Sequence, residues 1–440
     1  MQENQNTALT YRELQTVWQD WMDQAPDFPP LDQWLRKRPR QSTQSSHSRQ
    51  QRDSAMMQAM HYRQLADALE ITFRNPDFDD WHNWDTLWSH QQQPSAIPQH
   101  FWYWIQLRCD ADWQTPLQLS QRKERRRHFL QVRSQLQQQE LSSLALMWYG
   151  FRPGWHIWLR DRCNRSEWTP AQHDHFIKSQ PHRPPLWLRP THSSTEEQLN
   201  QLQHSLEKQG VNAALDNGRL LARGGQDVYQ TSAFKEGQLD IQDLASQLIV
   251  EAIAPKPGDK IWDACAGAGG KSLAMAARMN QKGSITATDI RANKLDELKR
   301  RAKRAGYRNI RTFEWQGEEA LRLPAEIRQQ GGFDKVLIDA PCSSAGTWRR
   351  NPDARWKISH RRVLLHRLQQ QLLTNAASAV RAGGQLTYAT CSWLVDENEM
   401  QVQAFLDAHP EFTLLKQQLL GLPEHNSDTM FVAVMTRNAI

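Results

Sequence analysis

Hydrophobic and polar positions follow a helical period through the first 180 residues of the chain. Apolar residues recur three to four positions apart in LTYRELQTVWQDWMDQA, in SAMMQAMHYRQLADALEITF and in ERRRHFLQVRSQLQQQELSSLALMWYG. Few β-branched runs interrupt this spacing. We therefore predict an all-helical domain over residues 1–180, with the polar stretch RQSTQSSHSRQQR (40–52) as a loop or disordered link within it.

The pattern changes near residue 184 and predicts a small α/β module over residues 184–250. PPLWLRPT and LLARGG have the composition of short strands. Between them, STEEQLNQLQHSLEKQG predicts a helix capped by Ser194 or Thr195 and stopped by Gly210. The module leads into the segment AFKEGQLDIQDLASQLIVEAI.

Strand and helix patterns alternate over residues 251–440. The predicted strands are KIWDAC, SITATDI, IRTFEW, FDKVLIDA and GQLTYATC, and the predicted helices begin near Lys271, Ala292, His360 and Asp396. Short loops between them predict an α/β fold with a Rossmann-like, doubly wound parallel sheet, to which TMFVAVMTR adds an antiparallel strand. Ligands of such sheets bind outside the carboxyl ends of the strands, where Asp263, Asp289, Asp339 and Cys391 fall.

Composition narrows the function classes only modestly. The 440 residues carry 54 Lys and Arg against 48 Asp and Glu, but the basic residues cluster, and two clusters lie beside the candidate chemistry at residues 298–308 and 348–362. Clustering of this kind favours RNA or DNA as a partner. Thirteen of the 19 tryptophans lie in the helical part. Core packing is the expected role of most of them, with stacking on unpaired bases as the alternative.

The cysteine count and the amino-terminal sequence bear on location. The five cysteines include no pair at zinc-ligand spacing, so no metal site is expected. The polar start MQENQNTALT lacks the apolar region of a signal peptide, and no apolar run approaches the roughly 18 residues that span a bilayer. We expect a cytoplasmic protein with reduced thiols, no membrane contact and a monomeric state.

The glycine-rich stretch DACAGAGGKS poses the question of which nucleotide it binds. A phosphate-binding loop needs a glycine five residues before Gly270, but that position is Cys265, so ATP is disfavoured. A dinucleotide fingerprint through Gly267, Gly269 and Ser272 is incomplete. An adenosyl ligand fits the strand and tight turn, with Asp289 placed to accept hydrogen bonds from its ribose. These residues alone leave S-adenosylmethionine and NAD evenly balanced.

Two cysteine motifs favour S-adenosylmethionine. Asp339 and Cys342 follow one predicted strand in LIDAPCSSAG, and Cys391 follows another in LTYATCSWLVDENE. A buried structural cysteine is the usual role of a single thiol, but an NAD enzyme has no need for this pair. Methylation of cytosine at C5 does need a thiol, because addition to C6 makes C5 nucleophilic toward a sulfonium methyl group. A base must then remove the C5 proton.

The chain resembles the Sun-type family of RNA (cytosine-C5) methyltransferases, on its Fmu/RsmB branch, from about Trp187 to Arg437. The resemblance rests on FKEGQLDIQDLASQ, DACAGAGGKS, QGE, DAPCSSAGTWRRNPDARW and YATCSWLVDENE. It implies that Cys391 attacks C6, that Cys342 aids breakdown of the adduct, and that Asp339 contacts the base and the reactive end of the cofactor. The helical region resembles the NusB-like RNA-binding domain of the family only faintly.

The resemblance also implies a donor site for S-adenosylmethionine. The family pattern departs at Gly267-Ala268, which replace Ala-Pro, and at Glu318, which replaces Asp and makes its adenine contact an open question. The implied cofactor-binding residues are Cys265, Ala266, Gly267, Ala268, Gly269, Gly270, Lys271, Asp289, Glu318 and Asp339.

Three hypotheses follow for the function. The first is an RNA cytosine-C5 methyltransferase that acts on ribosomal RNA, with tRNA as the alternative substrate. The second is a catalytically altered relative that binds RNA as a ribosome-assembly factor, against which the presence of Cys342, Cys391 and Asp339 argues. The third is a DNA cytosine methyltransferase with its nucleophile at Cys342, which leaves Cys391 unexplained and lacks a recognisable DNA-reading module.

Overall fold

Internal contacts divide the chain into two compact units. The first unit comprises Met1–Asp161, Asp174–His182 and Trp348–Trp356, and the second comprises Arg162–His173, Arg183–Thr347 and Lys357–Ile440. The predicted domain boundaries at 180–184 and 250–251 differ from this division and stay a prediction. The computed structural model describes residues 9–24, 28–39, 46–90, 97–111, 113, 115, 117–136, 142–192, 194–224 and 228–439.

Helices build the described part of the chain up to residue 182. Thr10 begins the first of them with a capping box, in which its hydroxyl accepts from the Glu13 amide and Glu13 accepts from the Thr10 amide. The helices are α1 (Tyr11–Met22), α2 (Leu31–Lys37), α3 (Ser46–His61), α4 (Arg63–Arg74), α5 (Trp84–His90), α6 (Gln99–Cys109), α7 (Arg122–Leu136), α8 (Ser143–Trp148), α9 (His156–Arg165) and α10 (Pro170–Ser179).

The structure corrects the expected loop at residues 40–52 in part. Residues 46–52 form the first turns of α3, while 40–45 lie outside the described residues. The reason is packing in the tertiary structure. Ala55, Met56, Ala59 and Met60 of the same helix are fully buried, so packing of its apolar half stabilises the polar turns that precede it.

The tryptophans of the helical region are packing residues, as expected for most of them. None of the thirteen is exposed, and Trp18, Trp102, Trp104 and Trp113 are among the largest fully buried side chains. Trp18 meets Trp102 edge to face, with ring centroids 6.0 Å apart. Edge-to-face contact brings the positive ring edge to the negative ring face, which adds to the stabilisation from area burial.

Part of the basic segment 348–362 is buried in the first unit. The Arg349 side chain is 6% exposed and donates to the His182 carbonyl, and the Arg355 side chain is 1% exposed and donates to the Gly150 carbonyl. Trp348 stacks on Trp155 at 4.6 Å between centroids. These three residues of the sequence motif therefore stabilise the fold of this unit.

A four-stranded antiparallel sheet forms the small module of the second unit. Its strand order is β2-β3-β1-β4, and Thr195 is the cap of its long helix. The elements are β1 (Leu186–Pro190), α11 (Glu196–Lys208), β2 (Asn212–Asp216), β3 (Arg219–Arg223), α12 (Ser232–Lys235), β4 (Leu239–Ile241) and α13 (Leu244–Ile253).

A seven-stranded sheet forms the rest of the second unit and confirms the predicted α/β fold. The order is β10-β11-β9-β8-β5-β6-β7. The strands from β9 to β7 pair in parallel, and β11 is antiparallel to both its neighbours, as expected for the last strand. The elements are β5 (Lys260–Asp263), α14 (Gly270–Arg278), β6 (Ser284–Asp289), α15 (Ala292–Arg304), β7 (Ile310–Glu314), α16 (Ala325–Gln329), β8 (Phe333–Asp339), α17 (Ile358–Ala377), β9 (Val380–Thr390), α18 (Glu399–Ala408), β10 (Phe412–Leu420) and β11 (Met430–Arg437).

A buried ion pair stabilises the helical core of the first unit. Glu70 accepts from Arg125 at 2.7 and 2.9 Å, from Arg74 at 2.7 Å and from the Trp104 indole at 3.0 Å. Burial raises the pKa of Glu70, but these hydrogen bonds outweigh burial and bring the pKa down to about 2.

We expect Arg125→Met to destabilise the first unit by about 3–5 kcal/mol, because it leaves the buried Glu70 carboxylate without its main partner. Chemical denaturation followed by tryptophan fluorescence measures this change. Arg126→Met is the matched control, since Arg126 lies next in the same helix and is exposed. Equal unfolding free energies for the two variants would contradict the assignment.

Candidate active site

Four parallel strands bring the predicted site residues to one edge of the sheet. Asp263, Asp289 and Asp339 are the last residues of β5, β6 and β8, and Cys391 directly follows β9. These strands are consecutive in the sheet, in the order β9-β8-β5-β6. The structure thus places Asp263, Asp289 and Asp339 and both motif cysteines at or near neighbouring strand ends.

The glycine turn between β5 and α14 depends on two left-handed residues. Gly267 has φ +53° and Gly269 has φ +84°. A Cβ atom at Gly269 would lie 2.4 Å from Leu298 Cγ, so this position lacks both the conformation and the space for a side chain. Around Gly267 there is no heavy atom within 4 Å of a Cβ position, so the turn faces open space there.

Asp289 holds this turn in place. Its Oδ2 accepts from the Gly267 amide at 2.9 Å, and its Oδ1 accepts from the Arg291 amide at 2.9 Å and from Arg291 Nε at 3.1 Å. The carboxylate is buried at 5% exposure. Because an ionised carboxylate accepts about four hydrogen bonds, one acceptor position is left for a ligand hydroxyl.

Asp263 is a fully buried carboxyl group at the base of the turn. Its Oδ2 accepts from Ser272 Oγ at 2.5 Å, and its Oδ1 has no hydrogen-bond partner among the described residues. Burial raises the pKa of Asp263 to about 7, against a smaller lowering by the Ser272 hydroxyl. A buried carboxyl group with spare hydrogen-bonding capacity therefore comes directly before the predicted cofactor loop in the chain.

Lys271 and Asp339 form an ion pair across the site. Lys271 Nζ lies 2.6 Å from Asp339 Oδ2, with the lysine side chain 9% and the aspartate side chain 30% exposed. Burial lowers the pKa of Lys271, but the Asp339 charge outweighs burial, so the pKa is raised and the amine stays charged. The pair leaves the Asp339 side chain partly accessible.

Cys342 and Cys391 lie side by side as free, partly exposed thiols. Their sulfur atoms are 3.3 Å apart, and the Ser344 hydroxyl lies 3.5 Å from the Cys391 sulfur. The hydrogen bond from Cys342 lowers the pKa of Cys391, with a further lowering by Ser344 against the effect of burial. The same hydrogen bond, together with burial, raises the pKa of Cys342. Cys391 is therefore the thiol that ionises first.

Two buried polar residues after Cys391, which the sequence did not single out, stabilise the cysteine loops. Glu397 accepts from the Ser343 amide at 2.7 Å and from Ser343 Oγ at 2.5 Å. Asn398 donates to the Ser392 carbonyl at 2.9 Å and accepts from Thr390 Oγ1 at 2.6 Å. Their only sequence signal was their place in LVDENE, since a run of polar residues otherwise predicts an exposed loop.

Cys265 and Glu318 occupy different settings from the other predicted residues. Cys265 follows β5 and is partly exposed, and burial raises the pKa of its thiol well above the ordinary value, so this thiol stays protonated. Glu318 lies after β7 and is exposed. Its predicted contact with the adenine ring stays a prediction.

The residues present fit an S-adenosylmethionine molecule. The turn leaves open space at Gly267, Asp289 retains an acceptor position beside it, and Asp263 has an unpartnered buried oxygen. A glycine turn that exposes backbone next to an acidic strand end is the arrangement that binds adenosyl ligands. Among the described residues, no group of three or more His, Cys, Asp or Glu side chains is arranged to hold a metal ion.

Comparison with known proteins identifies the family of this domain. The model of the family described as 16S rRNA methyltransferase RsmB/F matches residues 250–436. Residues 250–436 belong to this family. Methyltransferases of this family depend on S-adenosylmethionine, which confirms the cofactor predicted from the sequence.

Curated relatives extend the match beyond the methyltransferase domain. The chain is 34% identical over 260 residues to ribosomal RNA small subunit methyltransferase B of Citrobacter koseri, covering 58% of this chain and 59% of that protein. It is 31% identical over 304 residues to the protein of the same name from Vibrio cholerae, covering 66% of each chain. The aligned region thus spans about three fifths of the length of the first of these relatives.

Solved structures confirm the fold. The crystal structure of PH0851 superposes with a TM-score of 0.62 at 24% identity over 90% of this chain and 91% of that chain. The structure of NSun6 from Pyrococcus horikoshii with SFG superposes with a TM-score of 0.53 at 18% identity over 64% of this chain and 98% of that chain.

In the described part of the chain, no helix combines the length and apolar character needed to cross a membrane.

The raised pKa of Asp263 predicts a pH-dependent stability. Because its pKa of about 7 lies above the ordinary 3.8, its protonated form stabilises the fold fully below about pH 3.8, and this contribution is lost as the pH rises through about 7. We expect Asp263→Asn, which cannot ionise, to lose less unfolding free energy than the wild type between pH about 5 and about 8.

Denaturant titrations across this pH range measure the difference. Asp216→Asn is the control, because Asp216 is exposed at the end of β2 in the small module. If the Asp263→Asn and wild-type stabilities decline in parallel with pH, Asp263 does not titrate in this range.

Proposed function

We propose that this protein transfers a methyl group from S-adenosylmethionine to C5 of a cytosine in RNA, through a covalent bond between Cys391 and C6. The observation that carries the proposal is the pair of partly exposed thiols 3.3 Å apart at neighbouring strand ends, next to the glycine turn. Ribosomal RNA is the proposed substrate, because the curated relatives are named as ribosomal RNA methyltransferases. Because ribosomal RNA is the proposed substrate, we propose that the reaction takes place in the cytoplasm.

Cys391 is the proposed nucleophile because its pKa is the one that the site lowers. Its thiolate adds to C6, and the electron pair of the C5–C6 double bond becomes available at C5. A hydrogen bond from the Cys342 thiol stabilises this thiolate before attack. The target base must leave its stack for the sulfur to approach C6 from above the ring.

Cys342 is proposed to act when the adduct breaks down. Its raised pKa keeps the thiol protonated near neutral pH. After C5 has lost its proton to a base, the C6–S bond breaks and the electron pair returns to the sulfur of Cys391. The Cys342 S–H donates a hydrogen bond to this departing thiolate, which makes it a better leaving group.

Asp339 and Lys271 are proposed to organise the space between cofactor and base. Asp339 is ion-paired with Lys271, yet its side chain is 30% exposed, so one face of the carboxylate is available to the cytosine. A carboxylate can accept a hydrogen bond from the amino group of cytosine and so fix the ring over Cys391.

Residues of the glycine turn are proposed to hold S-adenosylmethionine. Bound there, the cofactor supplies an electrophilic methyl group on a sulfonium. The backbone of Cys265, Ala266, Gly267, Ala268, Gly269 and Gly270 would line its binding site, with Lys271 at its edge. Asp289 would accept from the ribose hydroxyls, because it keeps an acceptor position beside Gly267.

The RNA-facing surface is proposed to use only part of the basic sequence runs. In the run 298–308, Arg301 and Arg304 bind the buried Asp240 carboxylate at 2.8 and 2.9 Å, so both serve the fold. Arg300 and Lys303 of the same helix are exposed. We propose these exposed cations as phosphate contacts.

We expect Cys391→Ala to abolish methylation and to yield no covalent protein–RNA species. We expect Cys342→Ala to accumulate a species that survives denaturing electrophoresis, since elimination is slowed after addition. The measurement uses unmethylated ribosomal RNA with labelled S-adenosylmethionine, and bisulfite sequencing locates the modified cytosine.

The double variant and a remote cysteine serve as controls. The trapped species must disappear when Cys391 is also replaced. Cys163→Ala must retain wild-type methylation, because Cys163 lies in α9 and, among the described residues, its thiol bonds the Trp168 carbonyl alone, at 3.8 Å. A trapped species that forms with Cys391→Ala and requires Cys342 would reverse the two roles. Absence of methylated cytosine with the wild-type chain would refute the proposed function.

Charge reversal at Arg300 and Lys303 is expected to weaken RNA binding and to flatten its salt dependence. A protein that makes fewer phosphate contacts releases fewer counterions when it binds RNA. Titration of RNA at several salt concentrations gives both quantities. Lys208→Glu and Arg223→Glu in the small module are the control, because both residues are exposed and the change in net charge is the same. An unchanged salt slope with the α15 variants would place the RNA elsewhere.

A further inference from the structure

A buried arginine outside the matched family region contacts the loop that follows Cys391. Arg162 lies near the end of α9 and is 0% exposed, among the largest fully buried side chains of the described residues. Taking a guanidinium out of water is costly unless charge and hydrogen bonds compensate. The hydrogen-bond partners of Arg162 therefore indicate its role.

All three nitrogens of the Arg162 guanidinium are used. Nη1 and Nη2 donate to Glu399 Oε1 and Oε2 at 2.7 and 2.9 Å, in a bidentate pair. Nε donates to the Trp393 carbonyl at 2.6 Å, and Nη1 also reaches Ser166 Oγ at 3.2 Å. Bidentate geometry fixes direction as well as distance.

These contacts hold the loop from Cys391 to Glu399 at both of its ends. Trp393 comes two residues after Cys391, and Glu399 begins α18. Between them, Glu397 holds Ser343 of the Cys342 loop at 2.5 and 2.7 Å. A shift of the loop at Trp393 would therefore move the Cys391 sulfur and, through Glu397, the backbone beside Cys342.

The Trp393 contact distinguishes positioning from simple stabilisation. An ion pair that only stabilised the fold would need Glu399 alone, and apolar residues of similar size could replace both charges at little cost. The backbone carbonyl of Trp393 would still lose its donor after such a replacement. The position of the loop would then no longer be fixed, although no unpaired charge would be buried.

We propose that Arg162 is a positioning residue that sets the contact between the Cys391 and Cys342 sulfurs by fixing the loop 391–399. The proposal rests on the proposed function, in which Cys391 is the nucleophile. Arg162 does not touch the reacting atoms. It acts through the Trp393 carbonyl and the Glu399 carboxylate.

The test compares Arg162→Met with the double variant that also carries Glu399→Met, in the full-length chain. The single variant leaves Glu399 buried and unpaired, so its unfolding midpoint should fall. The double variant should recover most of that midpoint. Arg160→Met is the matched control, because Arg160 lies in the same helix with a side chain 65% exposed.

Two readouts of the thiol then separate positioning from stability. The first is the rate of Cys391 alkylation by iodoacetamide as a function of pH, followed by peptide mass spectrometry. The midpoint should move up toward the ordinary thiol pKa in the double variant, since the hydrogen bond from Cys342 is no longer aligned. The second is the single-turnover rate of RNA methylation, which should fall roughly tenfold to a hundredfold, while S-adenosylmethionine affinity stays within about twofold.

Arg162→Lys keeps the test decisive if the Met variants do not fold. Lysine keeps the charge but cannot make the bidentate pair and the Trp393 contact together, so the same upward shift is expected. A wild-type alkylation profile and methylation rate in the double variant, or in Arg162→Lys if the Met variants fail to fold, would show that Arg162 is only structural. If the wild-type chain methylates no cytosine in RNA, the proposed function fails, and the alkylation profile still decides the role of Arg162.

Discussion

Parallel pairing of β9, β8, β5 and β6 is the constraint on which the rest of the site depends. In parallel strands all carboxyl ends point the same way, so residues far apart in sequence are brought to one edge. The pairing places Asp339 beside Ala389 in register, two residues before Cys391. The separation of 49 residues between Cys342 and Cys391 thereby becomes 3.3 Å between sulfur atoms. Without this register neither the shared hydrogen bond nor the lowered pKa of Cys391 would exist.

Buried acidic groups give the loops at this edge their fixed shape, because each must find hydrogen bonds in place of water. Glu397 binds the loop that carries Cys342, and Glu399 binds Arg162. Asp240 in β4 binds Arg301, whose other guanidinium nitrogen donates to the Ala268 carbonyl of the glycine turn at 2.7 Å. The small α/β module is therefore linked to the predicted cofactor loop by one side chain. The contacts that compensate the buried charges are therefore the same contacts that fix the loops of the site.

The basic character of the chain serves two purposes that composition cannot separate. Arg125, Arg162 and Arg355 are buried and stabilise carboxylates or carbonyl groups, whereas Arg300 and Lys303 are exposed. A guanidinium can satisfy several acceptors at once in the interior, which suits it to buried ion pairs better than an ammonium group. The number of cations that can contact RNA is thus smaller than the number in the sequence.

The sequence by itself determined the strands β5 to β9 and β11 and the places where Asp263, Asp289, Asp339 and Cys391 fall, because strand periodicity and turn residues are local signals. Local signals did not predict α3 from residue 46 or the edge strand β10, whose polar stretches are ordered by packing against distant apolar residues. Only the tertiary structure decided which cations are buried and which thiol ionises first. Arg162 and Glu399 are 237 residues apart, and a pKa depends on neighbours in space, which no local pattern of residues records.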